Sequence, residues 1–461
     1  MKTAQANEDQ ARVKPSQARK IAFEILLRVE RESSFASELL HGPVTSGMSA
    51  RDAAFCTELV MGSLRWQILL DFFAQRLSRK PWLSFDPEIK VALRVGLYQL
   101  KFMQGTPERA AVHETVSLVK LAGKQSATGL VNALLRRAAQ MDLTALRISS
   151  MSEMEWASIE SSHPFWLLDR WANRFGIENT HLLAKKNNQP PKTCLRIHGD
   201  KTDRHEFESK LEKIGLTLSL GRYLRDCYVV QKGNIRVALS RFPKYLVVQD
   251  EAAQIIPLLL DVRKGQTILD LCAAPGHKST LLRQAAGDCG IVVAGDLHVH
   301  RLRTMEKFHS MDRIIRVALD GTQSLPFTAS FDRILIDAPC SGTGTLCRHP
   351  EIKLKLTLQD IQQLSEKQYA LLDQAATALR QGGRMVYSTC SLEDEENRQV
   401  IALFLAEHKD FTLLPLRSDF ARLQPHFHPS AAGILDQEYL ETFPDRDEMD
   451  GFFAAILLKQ N

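Results

Sequence analysis

The sequence predicts an α/β protein. A doubly wound, mostly parallel sheet fills the C-terminal half, preceded by an all-helical segment and a small α/β unit. Three observations carry this expectation. From about residue 241, short apolar runs alternate with helical stretches, a βαβα rhythm that requires crossover helices between parallel strands. Residues 16–145 show apolar residues at helix-compatible spacing with no strand-like alternation. Between these, the pattern changes at Trp156, Trp166 and Trp171 around Ser162-His163-Pro164, and again at Pro190-Pro191. The expected domains are therefore 1–145, 146–240 and 241–461.

In the helical segment, Ile21, Phe23, Ile25, Leu26 and Val29 form one apolar set. Phe55, Leu59, Val60, Leu64, Ile68, Leu69 and Phe72 form a longer one. Asp86-Pro87 reads as an N-cap followed by proline at the first helical position, ahead of Ile89, Leu93, Leu97 and Leu100. Pro107 opens a helix with Ala110, Val112, Val116 and Val119, and the last helix runs through Val131, Leu134 and Leu135 to Arg136-Arg137. In the middle unit, 193–198 and Tyr228-Val229-Val230 read as strands, and Phe207, Leu211 and Ile214 as a helix before Gly215. The three tryptophans offer stacking surfaces, but core packing is the simpler use. In the C-terminal half the expected strands are 267–271, 291–294, 314–318, 334–336, 385–388 and 453–458, with a helix over 358–379.

The totals describe a globular chain: 461 residues, 44% hydrophobic and 25% charged. No apolar run is long enough to span a bilayer. The polar start, Met1 to Asp9, lacks the apolar core of a signal peptide, so a cytoplasmic location is expected. The eight cysteines form no paired framework and should be free thiols. Cys340, Cys347 and His349 match no common zinc spacing, so no metal is expected. Net charge is +5, and its distribution is uneven. Residues 1–145 hold 20 Lys/Arg against 14 Asp/Glu, whereas the remainder holds 39 against 40. A basic surplus confined to one third suits a polyanion partner as well as it suits a lysine-rich helical surface.

Chemistry concentrates at the ends of the expected strands, where ligands bind in such sheets. Cys272-Ala273-Ala274-Pro275-Gly276-His277-Lys278 forms a Gly-containing turn after one strand. Asp296 ends the next strand and suits ribose hydroxyls. Asp320 follows one strand further on, placed to read a base. The alternative for both acids is helix capping. The turn is not a P-loop, because Gly276 precedes His277 and Leu271 stands five residues earlier. Nor is it Gly-x-Gly-x-x-Gly, which argues against nicotinamide or flavin. Two thiols sit at later strand ends: Cys340 in Asp337-Ala338-Pro339-Cys340-Ser341-Gly342-Thr343-Gly344, and Cys390 in Thr389-Cys390-Ser391, followed by Asp394-Glu395-Glu396-Asn397.

These motifs resemble the RNA cytosine-5 methyltransferases, which carry a Pro-Cys and a later Thr-Cys motif, here Pro339-Cys340 and Thr389-Cys390. The resemblance runs through Asp270–Lys278, Asp296, Asp320, Asp337–Gly344, Pro350-Glu351-Ile352-Lys353 and Asp450-Gly451-Phe452-Phe453. The helical segment resembles the antitermination factor NusB along Leu93–Leu100, Pro107–Lys120 and Val131–Arg136. The combination is similar to the RsmB/NOP family of bacterial 16S rRNA cytosine-5 methyltransferases.

The resemblance implies a Rossmann-like fold and S-adenosyl-L-methionine as cofactor. It implies protein-free or early-assembly 16S rRNA as partner, position 967 as target, and a monomer. It further implies Cys390 as nucleophile, Cys340 as the thiol that helps release product, and Asp337 against both cytosine and cofactor. Residues 272–278, Asp296 and Asp320 would bind the cofactor. Lys278 and Lys353 could add positive potential beside a thiol or phosphate. DNA cytosine-5 enzymes instead use the Pro-Cys thiol as nucleophile, which would be Cys340. A tRNA substrate, or a non-catalytic RNA-binding factor on the same fold, are the competing functions. One departure stands out: the family turn usually reads Ala-Pro-Gly-Gly-Lys, and His277 replaces its second glycine. If that position needs positive φ, histidine is costly there.

Overall fold

The computed structural model describes residues 15–32, 34–197, 201–243, 245–305, 313–328 and 330–460, with side chains left aside at 201–205. The polar Met1–Asp9 segment and His198 lie outside the described residues. The chain divides into two compact units. One comprises residues 1–190 and 346–355, the other 191–345 and 356–461. No described helix is long and apolar enough to cross a membrane.

The first unit is helical. Its main helices are Gln17–Glu32, Ala50–Arg65, Gln67–Leu77, Pro87–Phe102, Glu108–Leu121 and Thr128–Ala139, followed by Glu153–Glu160, Phe165–Phe175 and Ile177–Asn187. Ile25, Leu59, Leu70, Phe73, Leu93, Val119 and Leu135 are fully buried in one core. The long apolar set between Phe55 and Phe72 is two helices, not one. The first ends at Trp66, and the Ser162 hydroxyl accepts from Ile68 N at 2.9 Å, capping the second from a distant part of the chain. Such a cap has no local signature. Asp86 does stand at the N-cap ahead of Pro87, but its carboxylate pairs with Lys124 at 2.8 Å rather than with its own helix. Trp171 is fully buried and Trp156 nearly so, as core packing requires, whereas Trp166 is only half-buried.

The segment 346–355 packs as part of this unit. Lys353 is 1% exposed, and its ammonium donates to Arg65 O at 3.0 Å and Asn188 Oδ1 at 3.1 Å. Burial pulls its pKa well below the usual lysine range. Glu351 accepts from Ala36 N at 2.9 Å, and the Arg65 guanidinium donates to Cys347 O at 3.1 Å.

The second unit holds two sheets. The smaller is antiparallel, in the order β2-β3-β1-β4, built from β1 (Cys194–Ile197), β2 (Thr217–Leu220), β3 (Cys227–Lys232) and β4 (Leu246–Val248). The larger contains β5 (Thr267–Asp270), β6 (Ile291–Asp296), β7 (Ile314–Ala318), β8 (Phe331–Asp337), β9 (Leu379–Thr389), β10 (Phe411–Leu414), β11 (Leu440–Thr442) and β12 (Phe452–Lys459). Its order is β10-β12-β9-β8-β5-β6-β7, with β11 also paired to β12. Strands β9, β8, β5, β6 and β7 are parallel, whereas β10, β11 and β12 add antiparallel pairs. The sheet is therefore mixed at one side. The expected strand over 453–458 exists, but it enters between β9 and β10 in the opposite sense. The unpredicted β2, β4, β10 and β11 are only three or four residues long, too short to show a period.

The chain moves outward from β5 through β6 to β7, then returns to lay β8 on the other side of β5. This reversal leaves a crevice at the carboxyl ends of β5 and β8, where ligands bind in open α/β sheets. Alternate residues feed the two faces. Ile268, Val292, Leu335 and Val386 pack on one side, and Leu269, Val293, Ile334, Ile336, Met385 and Tyr387 on the other. The second face is covered by Leu358–Ala378, whose N-terminus carries a capping box between Thr357 and Asp360, and by Arg398–Glu407.

Helix contact in the first unit demands one glycine. A Cβ on Gly62 would lie 1.9 Å from Tyr98 Cζ. Gly62→Ala should therefore cost roughly 1–3 kcal/mol, as overpacking does. Denaturant unfolding of the whole chain would measure it. Combined with Tyr98→Ala, the losses should be less than additive, because the clash disappears with the ring.

Candidate active site

The turn after β5 begins at Asp270. Its Oδ2 accepts from Ser279 Oγ at 2.6 Å, while Oδ1 is buried with no hydrogen-bond partner among the described residues. Burial raises this carboxyl to about 7, with the charge of Asp337 acting in the same direction. The peptide between Ala274 and Pro275 is cis, and Gly276 takes φ +102°. His277 then starts the helix His277–Ala286. The left-handed residue is thus Gly276, and His277 needs no positive φ. The substitution of the family's second glycine falls where any residue fits the backbone. The imidazole is pushed down to about 4 by burial first, then by Arg196 and Lys278, so it is neutral near pH 7.

Asp296 ends β6 and is 4% exposed. It accepts from Ala274 N at 3.3 Å, His298 N at 2.9 Å and Arg301 Nη1 at 3.1 Å. It therefore binds the turn itself as well as the loop that follows. Asp320 is exposed and accepts from the Thr322 hydroxyl at 2.7 Å and Thr322 N at 3.0 Å, bonds that lower its pKa. A cavity of about 510 Å³ joins these elements. Its walls include Cys272, Ala274, Asp296, Asp320, Asp337, Cys340 and Cys390. Arg301 and Leu297 also line it, and sequence reading missed both.

Strand β8 delivers Asp337, and the adjacent β9 delivers Ser388 opposite it. Asp337 accepts from Lys278 Nζ at 2.5 Å and from Ser388 Oγ at 2.9 Å. Lys278 also lies 5.3 Å from the centre of the Phe452 ring. The two loops beyond bring Cys340 Sγ to 3.3 Å from Cys390 Sγ. The Cys340 thiol is pushed up, first by this hydrogen bond and then by burial. Gly344 is required by proximity: a Cβ there would meet Gly451 O at 2.1 Å, which explains why Asp450-Gly451-Phe452 accompanies the motif. Of the expected residues, Ala273, Pro275, Gly276, His277 and Lys278 belong to the turn without lining the cavity. Lys353 belongs to the other unit. Among the described residues, no three His, Cys, Asp or Glu side chains gather as a metal site.

Behind the cysteines lies a carboxylate without a role in the motif reading. Glu396 is fully buried and accepts from Ser341 and Ser391, the residues after the two cysteines. The repeated Cys-Ser pair and the acidic run at 394–396 were its only traces in the sequence.

The Asp270 carboxyl gives a pH prediction. Its folded pKa lies near 7, above the unfolded value of about 4. The folded state therefore holds the extra proton, and the stability it contributes is present below pH 4 and lost as pH rises to 7. Asp270→Asn has no such loss. Its stability relative to the parent should rise by about 1.4 kcal/mol per pH unit across that interval. Unfolding titrations at pH 5, 6 and 7 would test this, and a flat difference would refute it.

Known proteins share both the sequence and the architecture. Residues 257–458 match the family described as 16S rRNA methyltransferase RsmB/F. Residues 16–140 match the NusB family, and residues 163–236 the ferredoxin-like domain of RsmF/B-like methyltransferases. Probable ribosomal RNA small subunit methyltransferase B of Bacillus subtilis (strain 168) is 31% identical over 97% of this chain and 100% of its own. Ribosomal RNA small subunit methyltransferase B of Pseudomonas putida (strain KT2440) is 34% identical, covering 89% of this chain and 91% of that one. The crystal structure of a methyltransferase homolog protein from Pyrococcus horikoshii is 26% identical with a TM-score of 0.55, over 67% of this chain and 100% of that one. With a thiol pair and three acidic strand ends around one cavity, and with relatives of this identity along nearly its whole length, the chain belongs to the RsmB/F family of 16S rRNA methyltransferases.

Proposed function

We propose that this protein methylates C5 of a cytosine in 16S rRNA, at position 967, through a covalent bond between Cys390 and C6 of the base. The observation that carries this reading is the 3.3 Å approach of Cys340 and Cys390 at the wall of the cavity shared with Asp296, Asp320 and Asp337. The relatives named ribosomal RNA small subunit methyltransferase B support the substrate class, and the basic surplus of the N-terminal third suits an RNA partner. Protein-free or early-assembly 16S rRNA is the form proposed, with the protein acting as a cytoplasmic monomer.

The cavity suits S-adenosylmethionine. Asp296 would take the ribose hydroxyls and Asp320 the base. The buried, unpartnered Oδ1 of Asp270 and the turn 272–278 supply polar groups for the amino-acid end. Bound there, S-adenosylmethionine supplies an electrophilic methyl group.

C5 of cytosine is too weak a nucleophile to take that methyl unaided. Addition of the Cys390 sulfur to C6 converts C5 into an enamine-like carbon that can. Cys340, 3.3 Å from Cys390, is within reach to donate its S–H to a Cys390 thiolate. Asp337, held by Lys278 and Ser388, faces the cytosine edge, accepting from the N4 amino group and sharing a proton with N3, which neutralises the negative charge that develops there as the sulfur adds. After methyl transfer, the C5 proton leaves to a base. The C5–H electron pair re-forms the double bond and the C6–S bond breaks, returning Cys390. Cys340 takes part in that release, directly or through water.

The test incubates the protein with labelled S-adenosylmethionine and protein-free 16S rRNA, beside total tRNA, and maps the product. Label confined to 5-methylcytosine in the 16S RNA is expected; label in tRNA alone would overturn the assignment. Cys390→Ala should lose methyl transfer while still binding RNA, since phosphate and stacking contacts remain. Cys340→Ala should trap a slow-migrating, heat-stable protein–RNA band on a denaturing gel, and adding Cys390→Ala should erase it. Asp296→Ala should weaken S-adenosylmethionine binding by about 1.5–3 kcal/mol, the worth of hydrogen bonds to a charged acceptor. Unchanged affinity in calorimetry would reduce Asp296 to a brace for the turn.

A further inference from the structure

The Pro-Cys and Thr-Cys loops are separated by 50 residues in sequence, yet both close on one buried side chain. Glu396 Oε1 accepts from Ser341 N at 2.8 Å and from Gln368 Nε2 at 2.9 Å. Its Oε2 accepts from the hydroxyls of both Ser341 and Ser391, which are themselves 2.9 Å apart. Gln368, on the helix Leu358–Ala378, also donates to Pro339 O at 2.9 Å. Each serine directly follows a cysteine. The carboxylate thus grips Cys340 from both sides, through Pro339 by way of Gln368 and through Ser341, and grips Cys390 through Ser391.

We propose that Glu396 is a positioning residue that sets the distance between the two thiols. Several features make it suited to that task. The side chain is fully buried, so its bonds do not exchange with water. Its own backbone is held as well, because Tyr387 on β9 donates to Glu396 O at 2.5 Å. The neighbouring Asn397 accepts from Thr389 Oγ1 at 2.6 Å and donates to Ser391 O at 2.8 Å, fixing the second loop from the other end. Burial raises the carboxyl pKa, while the bonds from Ser341, Ser391 and Gln368 oppose that rise. A carboxylate accepts four hydrogen bonds from two loops and a helix at once, which no neutral side chain of this length can do. The loops also meet directly, through the Ser341 and Ser391 hydroxyls, Gly344 N with Cys390 O, and Leu392 N with Thr343 Oγ1, but among these described contacts only Glu396 also reaches the helix Leu358–Ala378.

The proposal has a readout that needs no catalysis. Diamide oxidises two neighbouring thiols to a disulfide, taking two electrons and two protons to become the hydrazine. The rate of the Cys340–Cys390 cross-link therefore reports the thiol geometry in the intact protein. In Glu396→Ala, cross-linking should slow by about tenfold or more, and kcat should fall by about a hundredfold, the cost of a displacement near 1 Å. KM for RNA and for S-adenosylmethionine should stay within twofold. Glu396→Gln, which keeps the shape and two of the bonds, should recover part of both rates. If Glu396→Ala does not fold, the Ser341→Ala/Ser391→Ala double variant removes both hydroxyl bonds to Oε2, including the side-chain tie to the Cys390 loop, and reads the same quantities. A cross-linking rate unchanged in every variant would overturn the proposal, whatever happens to kcat. The kcat arm rests on the thiol pair being catalytic. Slower cross-linking with unchanged kcat would keep Glu396 as the tether and overturn that reading instead.

Discussion

The parallel pairing of β8 with β9 sets Asp337 directly opposite Ser388, and the position of both thiols follows from that register. Cys340 comes three residues after Asp337 and Cys390 two after Ser388, so neither loop has room to wander. A slip of one residue would turn every side chain of one strand to the wrong face and separate the sulfurs. The strand on the far side of β9 is β12, which locks it by six antiparallel pairs from Phe453–Thr389 to Leu458–Arg384. Its approach brings Gly451 against Gly344, where only glycine fits. The antiparallel insertion at the sheet's edge is therefore part of how the Pro-Cys loop is held.

Charge at the strand ends is balanced locally. Asp270, Asp296 and Asp337 terminate β5, β6 and β8, which are adjacent in the sheet. Three carboxylates at this spacing repel one another, and each finds a different compensation. Asp337 has Lys278, Asp296 has Arg301 and two backbone N–H groups, and Asp270 has the Ser279 hydroxyl and a raised pKa. Acids held in this way can accept from a ligand's hydroxyl and amino groups at little reorganisation cost.

Much of the candidate site was legible in the sequence, for a physical reason. Short apolar runs ending in Asp-x-Pro-Cys, Thr-Cys and Ala-Pro-Gly mark strand ends, and strand ends in an α/β sheet converge on one edge. Strand-end position thus marks Asp296, Asp320, Cys340 and Cys390, the family resemblance adds Asp337, and the cavity brings these five together. The helical character of residues 16–145 was equally clear, because long amphipathic helices repeat their pattern several times. Less legible was the break at Trp66, which depends on a hydroxyl about a hundred residues away, and so was the backbone state of the residue after Gly276.

By itself, the sequence determined which candidate side chains stand at or just past the ends of strands, because those properties are local: side-chain type, strand period and turn residues. Tertiary structure alone decided the 3.3 Å between the thiols, the antiparallel entry of β12, and the burial of Lys353 among helices of the other unit. It alone gave Glu396 its hold on Ser341 and Ser391. Apart from the five-residue step between Ser391 and Glu396, these are contacts between segments 50 or more residues apart, set by strand register and by the need of buried polar atoms for partners. No local pattern encodes them.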